Sequence, residues 1–375
     1  MSRRVNHKPR QMRTTHFSRE QFCAALVSAL VLLLHNPAVG ISLTLDEVIK
    51  KIHGLAPAQR KTVLEEGARK EAEVVWYTSM SFTDYPKIAG AFEQSFPYIK
   101  VKANRLSQAT VFTKVDTEAR AGRFLVDLVG SAPMEMWELK QKGYSGAYLS
   151  PELKAFPSGS YDPQGFWSSF EVTPIVLAFN TKLVSQEEAP RTYQDLLQPK
   201  WKGKMNLGSD EYAWFSVMVD GMGKAKALDY MKALAKQQLH IPGSSSIMRV
   251  QLMLAGESAI VLAARGRRVV EYKEKGAPID YRIFDPYPAE PNGLALMRRT
   301  AHPHATILFD DWVLSEEGQS VLAQQIPRIA LRKGVKQIPR HQELYKKDFV
   351  FVNPASIGPN LNALIASYQQ IFDIR

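Results

Sequence analysis

The stretch EVVWYTSMS at residues 73–81 and the stretch VDLVGSAP at residues 126–133 share one layout. In each, a short apolar strand runs into a small polar loop, and the loop opens an amphipathic helix. Strands that alternate with helices predict a mainly parallel sheet, so the fold class we expect is α/β. In such sheets ligands bind outside the carboxyl ends of the strands. Both loops should lie at that edge, where hydroxyls and free helix N–H groups suit an anion or a polar ligand.

The size and charge of the chain limit its class. It has 375 residues, 45% hydrophobic and 23% charged, a length that predicts about two domains. The formal net charge is +11, but residues 1–40 hold six basic side chains and one acidic one. The remainder carries about +6, which suits an anionic small molecule and is too diffuse to indicate nucleic acid. We therefore expect no nucleic-acid partner.

The first 40 residues have the layout of a secretory signal peptide. A basic segment precedes the apolar run at 22–34, and small residues follow at 38–40. The alternative is an uncleaved N-terminal anchor, although a membrane-spanning helix needs about 20 apolar residues. The only cysteine, Cys23, lies in this leader, so the rest of the chain has no thiol for a disulfide, a nucleophile or a metal site. We expect export to the periplasm.

Local signals place several helix starts and a second set of strands. Thr44 and Glu47 have capping-box spacing, which predicts a helix in the segment 41–70. Asp84 and Ser107 precede apolar residues at helical spacing and are candidate N-caps. A strong strand is predicted at 172–180, and further strands follow at 205–207 and 260–264. The chain thus contains two successive sets of strand–helix units.

Several segments, in order along the chain, resemble one known family. They are residues 74–79, 127–131, 166–167, 174–182, 196–197, 199–204, 291–296 and 314–319. Together they resemble the periplasmic solute-binding proteins of ABC importers, in the branch that contains the ferric-ion-binding proteins. The resemblance covers residues 71–335, and an ordered series of this length is far more specific than any single motif.

The resemblance implies a type II periplasmic-binding-protein fold, in which two βα lobes are joined by a hinge and close on a ligand. Together with the patterns of the first 70 residues, it predicts a signal peptide at 1–40, a helical extension at 41–70, lobe 1 at 71–172, lobe 2 at 173–284, a return to lobe 1 at 285–335 and a C-terminal segment at 336–375. The implied function is to capture a small-molecule solute and deliver it to an ABC permease in the inner membrane. We expect a monomer.

One segment departs from the ferric-binding pattern. Ferric-binding members carry neighbouring tyrosines after the helix that contains Ser-Glu-Glu-Gly, whereas residues 324–332 of this chain contain none. Phenolate oxygen is a hard ligand that suits Fe³⁺. We therefore expect a small organic or phosphorus-containing anion in preference to free ferric ion. A ferric-ion or ferric-complex binding protein of an iron importer remains the alternative.

The candidate ligand-binding residues lie where strands end and helices begin. In lobe 1 they are Ser79, Ser81 and Ser131, and in lobe 2 they are Ser209, Tyr212 and Ser245. For each serine the alternative is ordinary helix capping, which contributes about 1 kcal/mol. Tyr212 is the aromatic residue we expect to face the ligand. Trp214 and Phe215 are adjacent on one helix, so only one of them should point into the core.

Arg265 is the strongest of these candidate ligand-binding residues. An arginine at a strand–helix junction can grip a carboxylate, phosphate or phosphonate through two parallel hydrogen bonds. Arg267 and Arg268 follow it, and helical spacing pairs them with Glu271 and Glu274. We expect only Arg265 to face the ligand, with the other two arginines on a solvated helix face.

Motifs for catalysis are absent from the sequence. The eight histidines do not cluster, and there is no Ser/His/Asp order, phosphate-binding glycine loop or metalloprotease motif. We expect no catalysis, no cofactor and no metal site. A periplasmic enzyme or a sensor subunit on the same fold is the alternative from another class.

Overall fold

The computed structural model describes residues 43–326 and 328–374. The predicted signal peptide, including Cys23, lies outside these residues. Within them, no helix is both long and apolar enough to span a membrane.

The first part of the chain alternates helices and strands. Its elements are α1 (Leu45–Ile52), α2 (Pro57–Glu71), β1 (Glu73–Thr78), α3 (Tyr85–Ser95), β2 (Lys100–Arg105), α4 (Gln108–Arg120), β3 (Leu128–Ser131) and α5 (Pro133–Gln141). The middle part is built from β4 (Ser168–Asn180), β5 (Met205–Asn206), α6 (Tyr212–Met222), α7 (Lys224–Ala235), α8 (Ser246–Ala255), β6 (Ile260–Arg265), α9 (Gly266–Glu274) and β7 (Ile279–Arg282).

The last part returns to the first and then adds a C-terminal segment. It contains β8 (Pro288–Leu296), α10 (Pro303–Leu314), α11 (Glu316–Ser320), β9 (Ile329–Ala330), α12 (Pro339–Gln342), β10 (Val350–Phe351), α13 (Pro354–Ile357) and α14 (Leu361–Phe372). Short 3-10 turns connect several of these elements, and one π-helical turn, Val321–Gln325, follows α11.

The sheet is mixed, so the prediction of a mainly parallel sheet is wrong. Its central order is β2-β1-β3-β8-β4-β6-β5, with β10 beside β8 and with β7 and β9 beside β4. Strand β1 pairs in parallel with β2 and β3, and β5 does so with β6. However, β8 runs antiparallel to β3 and β4, and β4 runs antiparallel to β6 and β7. The reversal arises because β4 and β8 carry the chain between the two parts of the sheet in opposite directions.

Strand β4 joins two hydrophobic cores. Its first half pairs with β8, and its second half pairs with β6 and β7. One core includes Trp76, Phe92 and Phe309 around β1, α3 and α10, and it continues along β4 to Val250 of α8 and Val269 of α9. The other core packs around β5, β6, α6 and α7 and includes Phe179 and Phe215. We call the part around β1–β3 and β8 lobe 1 and the part around β5–β7 lobe 2; the finer domain boundaries stay predictions.

Three predicted caps have different outcomes. Thr44 and Glu47 form the predicted capping box at the start of α1. Asp84 and Ser107 occupy N-cap positions without making a cap hydrogen bond through their side chains. Asp84 instead accepts hydrogen bonds from Arg328. Its carboxylate is therefore used in an ion pair and does not cap the helix.

Helix α6 is buried on more than one side. Trp214 and Phe215 are 2% and 0% exposed, so the expectation that only one would enter the core is wrong. Trp214 packs beside Tyr193, whereas Phe215 packs beside Tyr368 of the C-terminal helix α14. Because α14 covers a second face of α6, adjacent residues that point in different directions are both buried.

Candidate functional site

A cavity of 290 Å³ lies where the two lobes meet, and we call it the cleft. It is bordered by the carboxyl ends of β1, β3 and β6, by β4 and β8, and by the first residues of α4, α5, α8 and α9. The lining residues are Thr78, Ser79, Met80, Gln108, Gly130, Ala132, Pro133, Phe170, Glu171, Thr173, Ser246, Ile247, Arg265, Arg267, Arg268, Glu290, Pro291, Asn292 and Arg328. Four of these side chains are arginines and two are carboxylates, so the lining is positively charged on balance.

Arg265 is held by two carboxylates. Its Nη1 lies 3.0 Å from Oε2 of Glu211, and its Nη2 lies 3.4 Å from Oε1 of Glu290. Behind it, the fully buried Arg249 forms an ion pair with the other oxygen of Glu211. Burial alone lowers the pKa of Arg265, but Glu211 and Glu290 outweigh it, so the net shift is upward. Arg265 therefore stays charged, and its orientation is fixed before any ligand arrives.

Arg328 is likewise neutralised by two acids. Its Nη1 lies 3.0 Å from Oε1 of Glu171, and its Nε donates to Asp84 over 2.9 Å. Burial alone lowers the pKa of Arg328, yet Glu171 and Asp84 reverse this effect and raise the pKa overall. The side chain is 11% exposed, so this ion-pair network forms part of the cleft wall.

Arg268 makes the contact predicted for a solvated helix face. Its Nη1 lies 2.7 Å from Oε2 of Glu271. The hydrogen bond from Lys275, joined by the one from Arg268, lowers the pKa of Glu271 to about 2. Glu274 pairs with Arg340 and with neither of the two predicted arginines. Arg268 nevertheless lines the cleft, which the sequence analysis did not expect.

Arg267 differs from the other three arginines. It is half-buried in the cleft wall, and no carboxylate of residues 43–326 or 328–374 lies within ion-pairing distance of it. Burial, together with the charges of Arg328 and Arg268, lowers the pKa of Arg267 to about 10. The guanidinium is therefore protonated at neutral pH, and although Glu171 and Asp84 offset its charge in part, it has no ion-pair partner among the described residues. A bound anion would supply one.

Two helix starts border the cleft with free backbone amides. Ser245 caps α8, and its Oγ accepts from the amide of Met248 over 3.3 Å. Ser246 and Ile247, which line the cleft, precede the first amide that has an intrahelical partner. Helix α9 begins at Gly266, between the arginines. A Cβ at Gly266 would lie 3.3 Å from the carbonyl oxygen of Pro174, so glycine allows α9 to pack closely on β4.

The structure brings together only part of the predicted site. Ser79 and Arg265 line the cleft, and the other five predicted residues do not. Ser81 bonds to Thr83, and Ser131 is buried at the end of β3. Ser245 is the exposed cap of α8. Ser209 is half-buried, with its amide bonded to the carbonyl of Gly243, and Tyr212 packs its ring edge-to-face on Tyr368.

Sequence reasoning missed the residues that long-range contacts bring into the cleft. Arg328 lies in the segment where the ferric-binding pattern places tyrosines, yet its two acids are distant in sequence, Glu171 by 157 positions. Glu290 precedes the family-like segment 291–296 and Asn292 lies within it, yet neither side chain was predicted to bind the ligand. The order Arg265, Arg267 and Arg268 was the one signal that pointed to this wall. Within the described chain, no three His, Cys, Asp or Glu side chains group so as to hold a metal ion.

Two solved structures are similar to this chain over most of its length. The periplasmic binding protein AfuA from Actinobacillus pleuropneumoniae, with exogenous fructose-6-phosphate bound, is 21% identical with a TM-score of 0.67, and the match covers 81% of this chain and 99% of that one. The Trichodesmium protein IdiA (FutA), in complex with iron and citrate ligands, is 17% identical with a TM-score of 0.71, and the match covers 80% and 99%. Fold and cleft together define the fold class, the two-lobed α/β architecture that this chain shares with AfuA and IdiA.

The family follows from the sequence itself. The model of the family described as bacterial extracellular solute-binding protein matches residues 127–338, more than half of the chain, and the chain belongs to that family. Iron uptake protein A1 of Synechocystis sp. is 22% identical over 216 residues, which are 53% of this chain and 60% of that relative. The chain thus spans less than two thirds of the length of these curated relatives.

Proposed function

We propose that this protein is the periplasmic solute-binding component of an ABC importer and that it captures a small anion in the cleft. Membership of the solute-binding family supports the role in transport. The observation that carries the choice of an anion is Arg267, a guanidinium in the cleft wall that has no ion-pair partner among the described residues. Delivery to an inner-membrane permease, export to the periplasm and a monomeric state belong to the same proposal.

The recognition of the anion rests on three kinds of donor. Arg267 supplies the free charge, and the amides at the start of α8 supply uncharged donors. Ser79 and Asn292 line the cleft and can bind hydroxyl or carbonyl groups of the solute. A charge-assisted hydrogen bond contributes about 1.5–3 kcal/mol, so a few such bonds reach the roughly 8 kcal/mol of a micromolar complex.

Iron is the second candidate solute, in the form of an anionic complex. Its support is the similarity to Iron uptake protein A1 and to the Trichodesmium structure with iron and citrate. Both carboxylates of the cleft, Glu171 and Glu290, are already paired with arginines, which favours a preformed ferric chelate over bare Fe³⁺. In such a complex the carboxylates of the chelator would meet the arginines.

The test is a calorimetric titration of the purified protein with fructose 6-phosphate, citrate and ferric citrate, with fructose as the neutral control. We expect at least one anion to bind stoichiometrically with micromolar affinity and fructose not to bind. Iron uptake accompanied by strong visible absorbance, with no binding of iron-free anions, would replace the first candidate by the second. Turnover of a bound ligand would contradict the binding role and favour an enzyme.

A further inference from the structure

A second cavity, of 370 Å³, lies at the end of lobe 1 away from the cleft. Gly130, near the carboxyl end of β3, lines the cleft, whereas Val126, which precedes β3, lines this cavity. Helix α4 likewise reaches both, with Gln108 in the cleft and Ala119 in the second cavity. We call this second site the basal cavity. Neither the proposed role nor the family match assigns it a ligand.

The floor of the basal cavity is apolar. Val126 and Met297 are 4% and 6% exposed, and Val115 is 3% exposed. Phe124 and Leu125 form the wall, and Leu125 is 50% exposed although it is a large apolar side chain. A concave, mostly apolar site of a few hundred cubic ångströms is the usual form of a small-molecule pocket.

The rim of the basal cavity carries four cations, namely Arg123, Lys142, Arg298 and Arg299. None of the four forms a salt bridge with a carboxylate in the described part of the chain. Arg299 lies over the ring of Phe124, with 4.5 Å between its guanidinium carbon and the ring centroid. The one acid in the lining, Glu118, is 6% exposed and already binds Lys114 over 2.6 Å.

We propose that the basal cavity binds an amphiphilic anion, whose apolar body enters the cavity and whose acidic group meets the cations of the rim. The arrangement of the lining supports an amphiphilic ligand, because the apolar side chains lie deep in the cavity and the charged side chains lie at its mouth. The headgroups of a membrane would meet the rim but leave the floor unfilled, so a fatty or aromatic acid fits better than a lipid surface. This inference is independent of the anion proposed for the cleft.

The experiment is a titration of the full chain with decanoate, followed by calorimetry, with decanol as the uncharged control. We expect one decanoate per chain and much weaker binding of decanol. Arg298→Glu together with Arg299→Glu should weaken decanoate binding about tenfold or more, because two charge-assisted contacts are reversed. The matched pair Lys232→Glu and Lys236→Glu, on exposed lysines at the end of α7, makes the same charge change and should leave the affinity unchanged.

A second variant tests the apolar floor. Ala119→Phe fills the cavity from α4 and should abolish decanoate binding while anion binding in the cleft persists. If that variant does not fold, decanoate binding by the unmodified chain should still weaken with rising salt, as a cationic rim requires. Equal affinities for the unmodified chain and the Arg298/Arg299 pair would overturn the proposal. So would a loss of decanoate binding on Arg267→Ala, because the ligand would then lie in the cleft.

Discussion

At the scale of single residues, the four arginines of the cleft divide by their partners. Arg265 and Arg328 each have two acids, Arg268 has one, and Arg267 has none among the described residues. A paired arginine is held in place and largely neutralised, whereas an unpaired one retains its full attraction for a ligand. This division assigns binding and positioning to different side chains.

The first prediction concerns Arg267. Arg267→Ala should weaken binding of the cleft anion about tenfold to a hundredfold, since one charge-assisted contact is lost. Its free energy of unfolding should stay the same or rise, because the variant removes a half-buried cation without a partner. Calorimetry and urea denaturation measure the two effects. Arg191→Ala, on an exposed arginine outside the cleft, is the control, and a variant that binds as tightly as that control would refute the assignment.

The second prediction concerns Arg265. Arg265→Ala should lower the free energy of unfolding by about 1–3 kcal/mol, since it leaves the buried carboxylate of Glu211 with one partner fewer. The sequence predicted a ligand clamp at Arg265, and the two ion pairs give this side chain a structural role as well. Arg268→Ala, which breaks a more exposed pair, should cost less than about 1 kcal/mol. Equal urea midpoints for the Arg265 and Arg268 variants would contradict this ranking.

At the scale of elements, the start of α10 is tied to β3 through Asp127. Asp127 precedes β3 and accepts hydrogen bonds from the amide of Val75, the hydroxyl of Thr300 and Nδ1 of His302. The hydrogen bond to Asp127 raises the pKa of His302, and the nearby Glu73 adds to the shift. The N-cap of α10 is therefore a protonated imidazole at mildly acidic pH.

The third prediction is the pH dependence that follows from His302. Because its pKa is raised on folding, its contribution to stability is complete below about pH 6.5, its unfolded value, and is lost as pH rises through the folded pKa. The difference in unfolding free energy between the unmodified protein and His302→Asn should shrink as the pH rises through that window. Urea denaturation at a series of pH values measures it. A difference that grows with pH would reverse the assigned sign.

Local sequence signals predicted single helices and strands better than they predicted which distant residues pair with them. The capping box at Thr44 and Glu47 is confirmed because both of its partners lie within one turn. Asp84 was predicted to be a cap, yet it binds Arg328, which is 244 positions away. The predicted strand direction was wrong for the same reason, because the antiparallel pairing of β3 with β8 joins segments that are far apart in sequence.

At the scale of the whole molecule, the sequence predicted the α/β class and the edge of the sheet where the cleft lies. The strands that end in Thr78 and Ser131 do border the cleft, because the carboxyl ends of parallel strands meet at one edge. The composition of the cleft wall was not predictable, since it depends on the crossings of β4 and β8 between the lobes. Those crossings bring Glu171, Glu290 and Asn292 to face α9.

The fourth prediction concerns closure of the lobes. Strands β4 and β8 both extend to the junction of the two lobes, and Arg265 of lobe 2 bonds to Glu290 of β8 across it. An anion that binds Arg267 of α9 and the residues of lobe 1 together should draw the lobes closer. We expect a smaller radius of gyration in small-angle X-ray scattering when a saturating anion is added. Arg267→Ala at the same anion concentration should show no decrease, and an unchanged radius for the unmodified protein would exclude closure by this ligand.

The central claim is that the cleft selects a small anion through Arg267. The most direct measurement is a calorimetric titration of the unmodified protein, Arg267→Ala and Arg267→Lys with the tightest-binding member of a panel of small phosphates and carboxylates. We expect tight one-to-one binding by the unmodified protein, weaker binding by the lysine variant, which cannot form two parallel hydrogen bonds, and the weakest binding by the alanine variant. Equal affinities for all three proteins, or tighter binding of uncharged analogues than of the anions, would contradict it.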